Sequence, residues 1–289
     1  MITKYREGNG EFRLEQDSLG SKKIPINAYY GVQTLRAVEN FSITGLTMHP
    51  EVINSIAEIK KAAAITNFEV GRLDEKRSNA IVEACDEVIA GKLHDQFIVD
   101  PIQGGAGTSL NMNANEVIAN RAIEYLGGIK GDYYLVHPND HVNYGQSTND
   151  VFPSCGRITA LKLITKAQEQ LKRLYDAFVE KQEEFDGVIK MGRTQLQDAV
   201  PIRLGQEFRA YAAAIKRDIL RFETAKEEMR HLNLGGTAIG TGLNADTKYL
   251  KLVVRNIDKI TSLGLTQAHD LIDATQNLDG YVAVSGGTK

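Results

Sequence analysis

Within residues 157–185, and again within 206–234, the chain carries neither glycine nor proline. Uninterrupted segments of roughly thirty residues are several times longer than the usual three-turn helix, and they call for a rod-like bundle. The apolar residues are spaced for it. Leu161, Ile164, Leu171, Leu174 and Phe178 share one face of the first segment. Leu204, Phe208, Tyr211, Ile215, Phe222 and Met229 share one face of the second. A third stripe, Tyr249, Leu252, Val253, Ile257 and Ile260, predicts a further helix. Such stripes carry no chemistry; they predict core or subunit interface.

The preceding part of the chain is different. Up to about residue 38 it is rich in glycine, proline and polar residues, with β-prone pieces at 11–14 and 24–30 that predict extended structure or one small hairpin. After Pro50, Val52, Ile56, Ile59 and Ala63 recur at helical spacing. Helices are expected over 75–90, stopped by Gly91, and over 111–126, stopped by Gly127-Gly128. The expected fold is all-α (mainly helical), with a mixed N-terminal domain over 1–146 and an incomplete long-helix bundle over 147–289. Residues 279–289 are still rich in apolar side chains and lack a cap or polar tail, so the sequence reads as cut at Lys289.

A formal charge of −3 gives no general attraction to nucleic acid or an anionic membrane, so a small acidic substrate needs a local site. Cys85 and Cys155 form no CxxC pair, which fits two buried thiols in a reducing compartment. The first residues show no apolar leader core, and no apolar run is long enough to cross a bilayer. A soluble, cytoplasmic protein is expected, without nucleic-acid or membrane partners.

Three polar segments interrupt the helices. Gly104-Gly105-Ala106-Gly107-Thr108-Ser109 leads into a helix whose positive N-terminus favours an anion; it lacks the lysine of a phosphate loop, and taken alone a helix-capping loop is the better reading. Ser147-Thr148-Asn149-Asp150 at the mouth of the first long segment offers more short polar side chains than one cap requires, and capping and carboxylate binding both stay open. Gly192-Arg193-Thr194-Gln195-Leu196-Gln197 joins two long segments, and alone reads as an interhelix connection. A fourth stretch, residues 235–244, is a glycine-rich turn or an anion nest. His137 and His141 flank Pro138-Asn139-Asp140 without a further ligand motif, so no metal site is expected. His49, His94, His231 and His269 read as surface or structural residues.

Taken together, GGAGTSLNMNANEV (104–117), HPNDHVNYGQSTNDVFP (137–153), GRTQLQDAVP (192–201) and GGTAIGTGLN (235–244) resemble the aspartase/fumarase superfamily, as does the opening PINAYYGVQTLRAVENF (25–41). GGAGTS and LQDAVP are closer to the aspartate ammonia-lyases than to class II fumarate hydratases, although Gln195 stands where many relatives carry histidine. The resemblance implies anti-elimination of ammonia from L-aspartate to fumarate through an enediolate, with no metal or organic cofactor. It implies that Thr108, Ser147, Thr148, Asn149, Thr194 and Gln195 bind the substrate, within a homotetramer whose sites draw on three subunits. The family's proton acceptor is a serine in a GSSxMPxKxN-like loop. No such stretch occurs in these residues, and the resemblance places it beyond Lys289. No catalytic base is therefore assigned here, and little activity is expected of this segment alone. Fumarate hydration, or a non-catalytic helical scaffold, are the alternatives.

Overall fold

The computed structural model describes residues 11–288. Two expectations lie outside them: most of the opening residues read above for a leader core, and Lys289, past which the serine loop is expected. The described residues are mainly helical, as the breaker-free segments require, and they pack as two units.

The first unit takes the described residues up to Thr159 together with Arg230–Asn277. It opens with an antiparallel hairpin of β1 (Phe12–Asp17) and β2 (Gly20–Pro25). The β-prone stretch 24–30 is therefore mostly not strand. Arg13 donates to the carbonyls of Pro25, Ala28 and Tyr30 at 3.1, 2.7 and 2.8 Å, and carbonyls converging on one guanidinium cannot alternate as a strand requires.

Helix α1 (Val32–Asn40) has no cap from its own N-cap side chain. Two buried carboxylates take its free amides instead. Glu116 accepts from the backbone of Gly31, Gln33 and Thr34 at 2.8, 2.9 and 3.0 Å, and from the Thr34 hydroxyl at 2.6 Å. Glu15 accepts from Val32 N and the Tyr133 hydroxyl, both at 2.9 Å, and from Arg13 at 2.8 Å. Burial nevertheless pushes Glu116 up to about 7. Gly31 is wedged between these groups: a Cβ there would lie 2.6 Å from Glu15 Oε2 and the Tyr133 hydroxyl, and 2.7 Å from Glu116 Cδ. Gly31→Ala should therefore destabilise the first unit by about 1–3 kcal/mol through overpacking. A shift in urea midpoint at constant slope measures it, and an unchanged midpoint would show that the carboxylates can retreat.

The unit's core is built by α2 (Pro50–Glu69), α3 (Glu75–Ile89), α4 (Thr108–Tyr125) and α7 (Thr247–Thr261). Helix α2 packs on α3 and α7, and α3 on α4, burying Ile56, Ile59, Ala63, Ile81, Tyr249 and Ile257. All but Ile81 are stripe positions, and the helical expectations for this region hold within a few residues. Helix α4 is unusual in being buried on nearly all sides while carrying Asn111, Asn113, Asn115, Glu116 and Asn120. Strands β5 (His231–Leu232) and β6 (Thr266–Gln267) pair in parallel, and α8 (Leu271–Gln276) follows.

Helix α5 (Thr148–Glu184), 37 residues long, begins in this unit and ends in the second, which takes Ala160–Met229 with the described residues from Leu278 onward. There it is joined by β3 (Ile189–Thr194), β4 (Gln197–Arg203), α6 (Leu204–Met229) and α9 (Asp279–Gly287). Helix α6 stops five residues short of the expected 234, because residues 231–232 leave it to pair with β6. Residues 192–201 are not a plain connection but most of a β-hairpin. Gln168 and Lys226 hydrogen-bond across α5 and α6 at 3.1 Å, and farther along Phe178, Phe185, Phe208 and Tyr211 form an aromatic cluster. Leu174, Leu220 and Val282 stay exposed. The packing groups the chain differently from a division at 146/147, since the start of α5 and residues 230–277 belong with the N-terminal part. No helix among the described residues is long and apolar enough to cross a membrane.

Candidate functional site

The polar run at the mouth of α5 is organised by a reciprocal cap. The Ser147 hydroxyl oxygen accepts from Asn149 N at 3.2 Å, and the Asp150 carboxylate accepts from Ser147 N at 2.8 Å. Capping therefore uses Ser147 and Asp150 and leaves Thr148 and Asn149 between them. Asp150 is fully buried, and its second oxygen accepts from Gly235 N at 2.9 Å and Thr237 N at 3.2 Å. One carboxylate thus ties the α5 mouth to the glycine-rich turn. Burial raises its pKa, against those three backbone donors and the nearby Lys60.

Pro153 sits inside α5 and has no N–H for the carbonyl of Asn149, four residues earlier. Buried Asn233 takes that carbonyl with its Nδ2 at 2.9 Å, and its Oδ1 accepts from the Ser154 hydroxyl at 3.1 Å. Asn149 Nδ2 in turn donates to Ala238 O at 2.7 Å. The second and fourth sequence motifs are locked together from both sides.

The first motif joins them through α4. Gly107, at φ +97, turns the chain into the helix, and a Cβ there would lie 2.2–2.6 Å from the Phe152 ring. These glycines serve close packing and a tight helix entry, the capping reading of this loop. The Thr108 hydroxyl donates to Gly105 O at 2.7 Å and is exposed. One turn on, on the same face, Asn111 Nδ2 donates to the Thr148 hydroxyl oxygen at 3.1 Å. Thr108, Ser147, Thr148 and Asn149 are thereby gathered at one place, where two helix N-termini offer neutral donors.

Beneath them lies a group the sequence reading missed. Lys60 of α2 is fully buried, and its ammonium donates to Asn143 Oδ1 at 2.7 Å and Gln146 Oε1 at 3.0 Å. Burial brings its pKa down to about 7, with Asp150, Cys85 and Cys155 acting in the opposite sense. The signal was present: Lys60 lies four residues after Ile56 and three before Ala63, on the apolar stripe rather than opposite it.

The chain as a whole is similar to known proteins. A lyase family model matches residues 20–289. The chain belongs to this lyase family, within the aspartase/fumarase superfamily. The aspartate ammonia-lyase of Bacillus subtilis (strain 168) is 56% identical over 98% of this chain and 59% of its own length. The cobalt-bound crystal structure of "fumarate lyase:delta crystallin" from Brucella melitensis superposes with a TM-score of 0.94 at 50% identity, covering 96% of this chain and 61% of that one. A class II fumarase from Schistosoma mansoni gives 0.91 at 35% identity, covering 96% and 62%. The chain thus spans about 60% of the length of the curated relatives it matches.

Two of the residues expected in the site of this lyase family fall in the second unit. Thr194 ends β3 and pairs with Gln197, while Gln195 and Leu196 form the hairpin tip at φ +51 and +64. Non-glycine residues adopt such angles only under local constraint. The tip is exposed, Leu196 to 99%. Four of the histidines are tied into local structure. His137 Nδ1 accepts from Asn139 N and Asp140 N at 3.2 and 3.1 Å, and His141 Nδ1 from His137 N at 2.7 Å. His49 caps α2, and His94 binds Asn54 and the carbonyl of Val88. Cys85 and Cys155 are buried and unbridged.

Proposed function

We propose that these residues form the substrate cradle of an aspartate ammonia-lyase, which converts L-aspartate to fumarate and ammonia. The carrying observation is the α5 mouth, where Thr148 and Asn149 stand between a capping box and a turn that holds them rigidly. Loss of the β-proton places a second negative charge on the adjacent carboxylate, as an enediolate. Preorganised hydroxyl and amide donors at a positive helix end stabilise that charge without reorganising. Ser147, Thr148 and Asn149 supply these donors, with Thr108 joining them if its hydroxyl turns from Gly105 O; Thr194 and Gln195 are assigned to the substrate by family resemblance, in sites that draw on three subunits. The proton acceptor is a serine of the kind the family carries in its mobile loop, outside the residues up to Lys289. An exposed Leu196 and the uncovered Leu174 and Leu220 fit a protein that assembles with copies of itself, a homotetramer by family resemblance. Small dicarboxylates are its partners, without nucleic acid, and its place is the cytoplasm.

Identities of 46–56% to aspartate ammonia-lyases, against 35% to the class II fumarase, favour deamination over hydration. The test is to give the intact natural protein L-aspartate and L-malate separately and follow fumarate by its ultraviolet absorbance. Turnover of aspartate is expected; turnover of malate with none of aspartate would reject the assignment.

A further inference from the structure

Lys60 is an expensive residue to bury. An ammonium in an apolar helix interface costs several kcal/mol, and a methionine would fill the same space. What its charge achieves can be read from the hydrogen bonds that lead away from it.

As an ammonium Lys60 only donates, and as a neutral amine it still carries two hydrogens for the two acceptors at 2.7 and 3.0 Å, so in either state amide oxygens face it. That fixes Asn143, whose Oδ1 lies 2.7 Å from Lys60 Nζ and whose Nδ2 donates to Gln146 O at 3.3 Å. It also fixes Gln146, whose Oε1 meets Lys60 at 3.0 Å while Nε2 donates to the carbonyls of Val142 and Tyr144 at 3.0 and 3.3 Å. Asn143 Oδ1 in turn dictates the orientation of Asn111, which turns its Nδ2 to that oxygen at 3.3 Å and to Thr148 Oγ1 at 3.1 Å. With its oxygen accepting from Asn111, the Thr148 hydroxyl keeps its own hydrogen for another partner. Were Asn111 reversed, its oxygen would consume that hydrogen.

We propose that Lys60 is a positioning residue that, through Asn143 and Asn111, holds the Thr148 hydroxyl as a hydrogen-bond donor toward the substrate carboxylate. The inference rests on the reading of Thr148 as part of the cradle. Its content is direction rather than proximity: the polarity of the whole row originates at a lysine that donates to two amide oxygens and never meets substrate.

The test is a double-mutant cycle in the intact natural protein, with Lys60→Met and Thr148→Val. Thr148→Val should lower kcat/KM for L-aspartate about 100-fold, the scale of one lost transition-state donor. Lys60→Met should lower it about 30-fold with its melting temperature preserved, and the double variant should fall no more than about threefold below Thr148→Val alone. Lys60→Arg, which keeps a donor-only head, should recover part of the loss. Losses that multiply in the double variant, or a Lys60→Met enzyme within about threefold of wild type, would overturn the relay. Full activity in Thr148→Val would instead remove Thr148 from the cradle, and the relay would fall with it. If Lys60→Met does not fold, Asn143→Leu cuts the row at a half-buried position; the same non-additivity with Thr148→Val is expected, and multiplicative losses overturn the proposal.

Discussion

Asp150→Ala is expected to destabilise the first unit by about 3–6 kcal/mol, because it strands three backbone amides at about 1–2 kcal/mol each. Ser147 N, Gly235 N and Thr237 N all end on this carboxylate, at 2.8, 2.9 and 3.2 Å, in a place closed to water. Asp150→Asn should recover only part of the loss. An amide has one oxygen, so its NH2 must face either Ser147 N or the pair from the turn. The loss should also be local in origin. Asp150 is the junction between the α5 mouth and residues 235–237, so amide hydrogen exchange at Gly235 and Thr237 should accelerate before the rest of the unit opens. Urea unfolding gives the magnitude; a loss below about 1 kcal/mol would mean that the turn finds other acceptors and that the carboxylate is no junction.

The helices were legible because their signals are local and repeated. Ile56, Ile59 and Ala63 are buried where the stripe placed them, as are Tyr249, Val253 and Ile257. What escaped was decided by distant partners. Residues 26–30 fail to extend because Arg13 gathers their carbonyls, and α6 ends at Met229 because β6, more than thirty residues on, captures His231 and Leu232. The β3–β4 hairpin carries none of the usual turn residues. Gln195 and Leu196 occupy its left-handed positions, so turn chemistry gave no warning.

The candidate site divides in the same way. Its exposed face, Thr108 and Ser147-Thr148-Asn149, was legible because short polar side chains before a breaker-free helix announce an N-terminus. Its supporting layer was not. Pro153 lies inside α5, where it frees the Asn149 carbonyl that Asn233 takes up. That pairing joins residues 84 positions apart, and no local pattern encodes it. Lys60 shows the limit most clearly: beside Lys61 it reads as half of a solvated pair, and only the helical phase separates the buried lysine from the one that pairs with Asp86 near the surface.

That burial should make stability depend on pH in a direction opposite to a salt-bridged lysine. The folded-state pKa of Lys60 is about 7, against 10.5 for the exposed side chain. Between these values the unfolded chain holds the proton that the folded protein has released, so stability rises with pH by about 1.4 kcal/mol per unit. Below about 7 both states are protonated and the contribution sits at its lowest; above 10.5 both are neutral and it is fully present. Other groups titrate in the same range, and Asp150, Cys85 and Cys155 act directly on this one. The informative quantity is therefore the stability of wild type minus that of Lys60→Met, in which the remaining groups largely cancel. From pH 7 to 9 this difference should rise by about 2–3 kcal/mol and should be level below pH 6. A flat difference would mean that the ammonium is solvated in the folded state. A difference that stays flat from pH 7 to 9 and falls only above about 10 would mean that a nearby carboxylate holds the proton on, leaving Lys60 an ion-pair partner of Asp150.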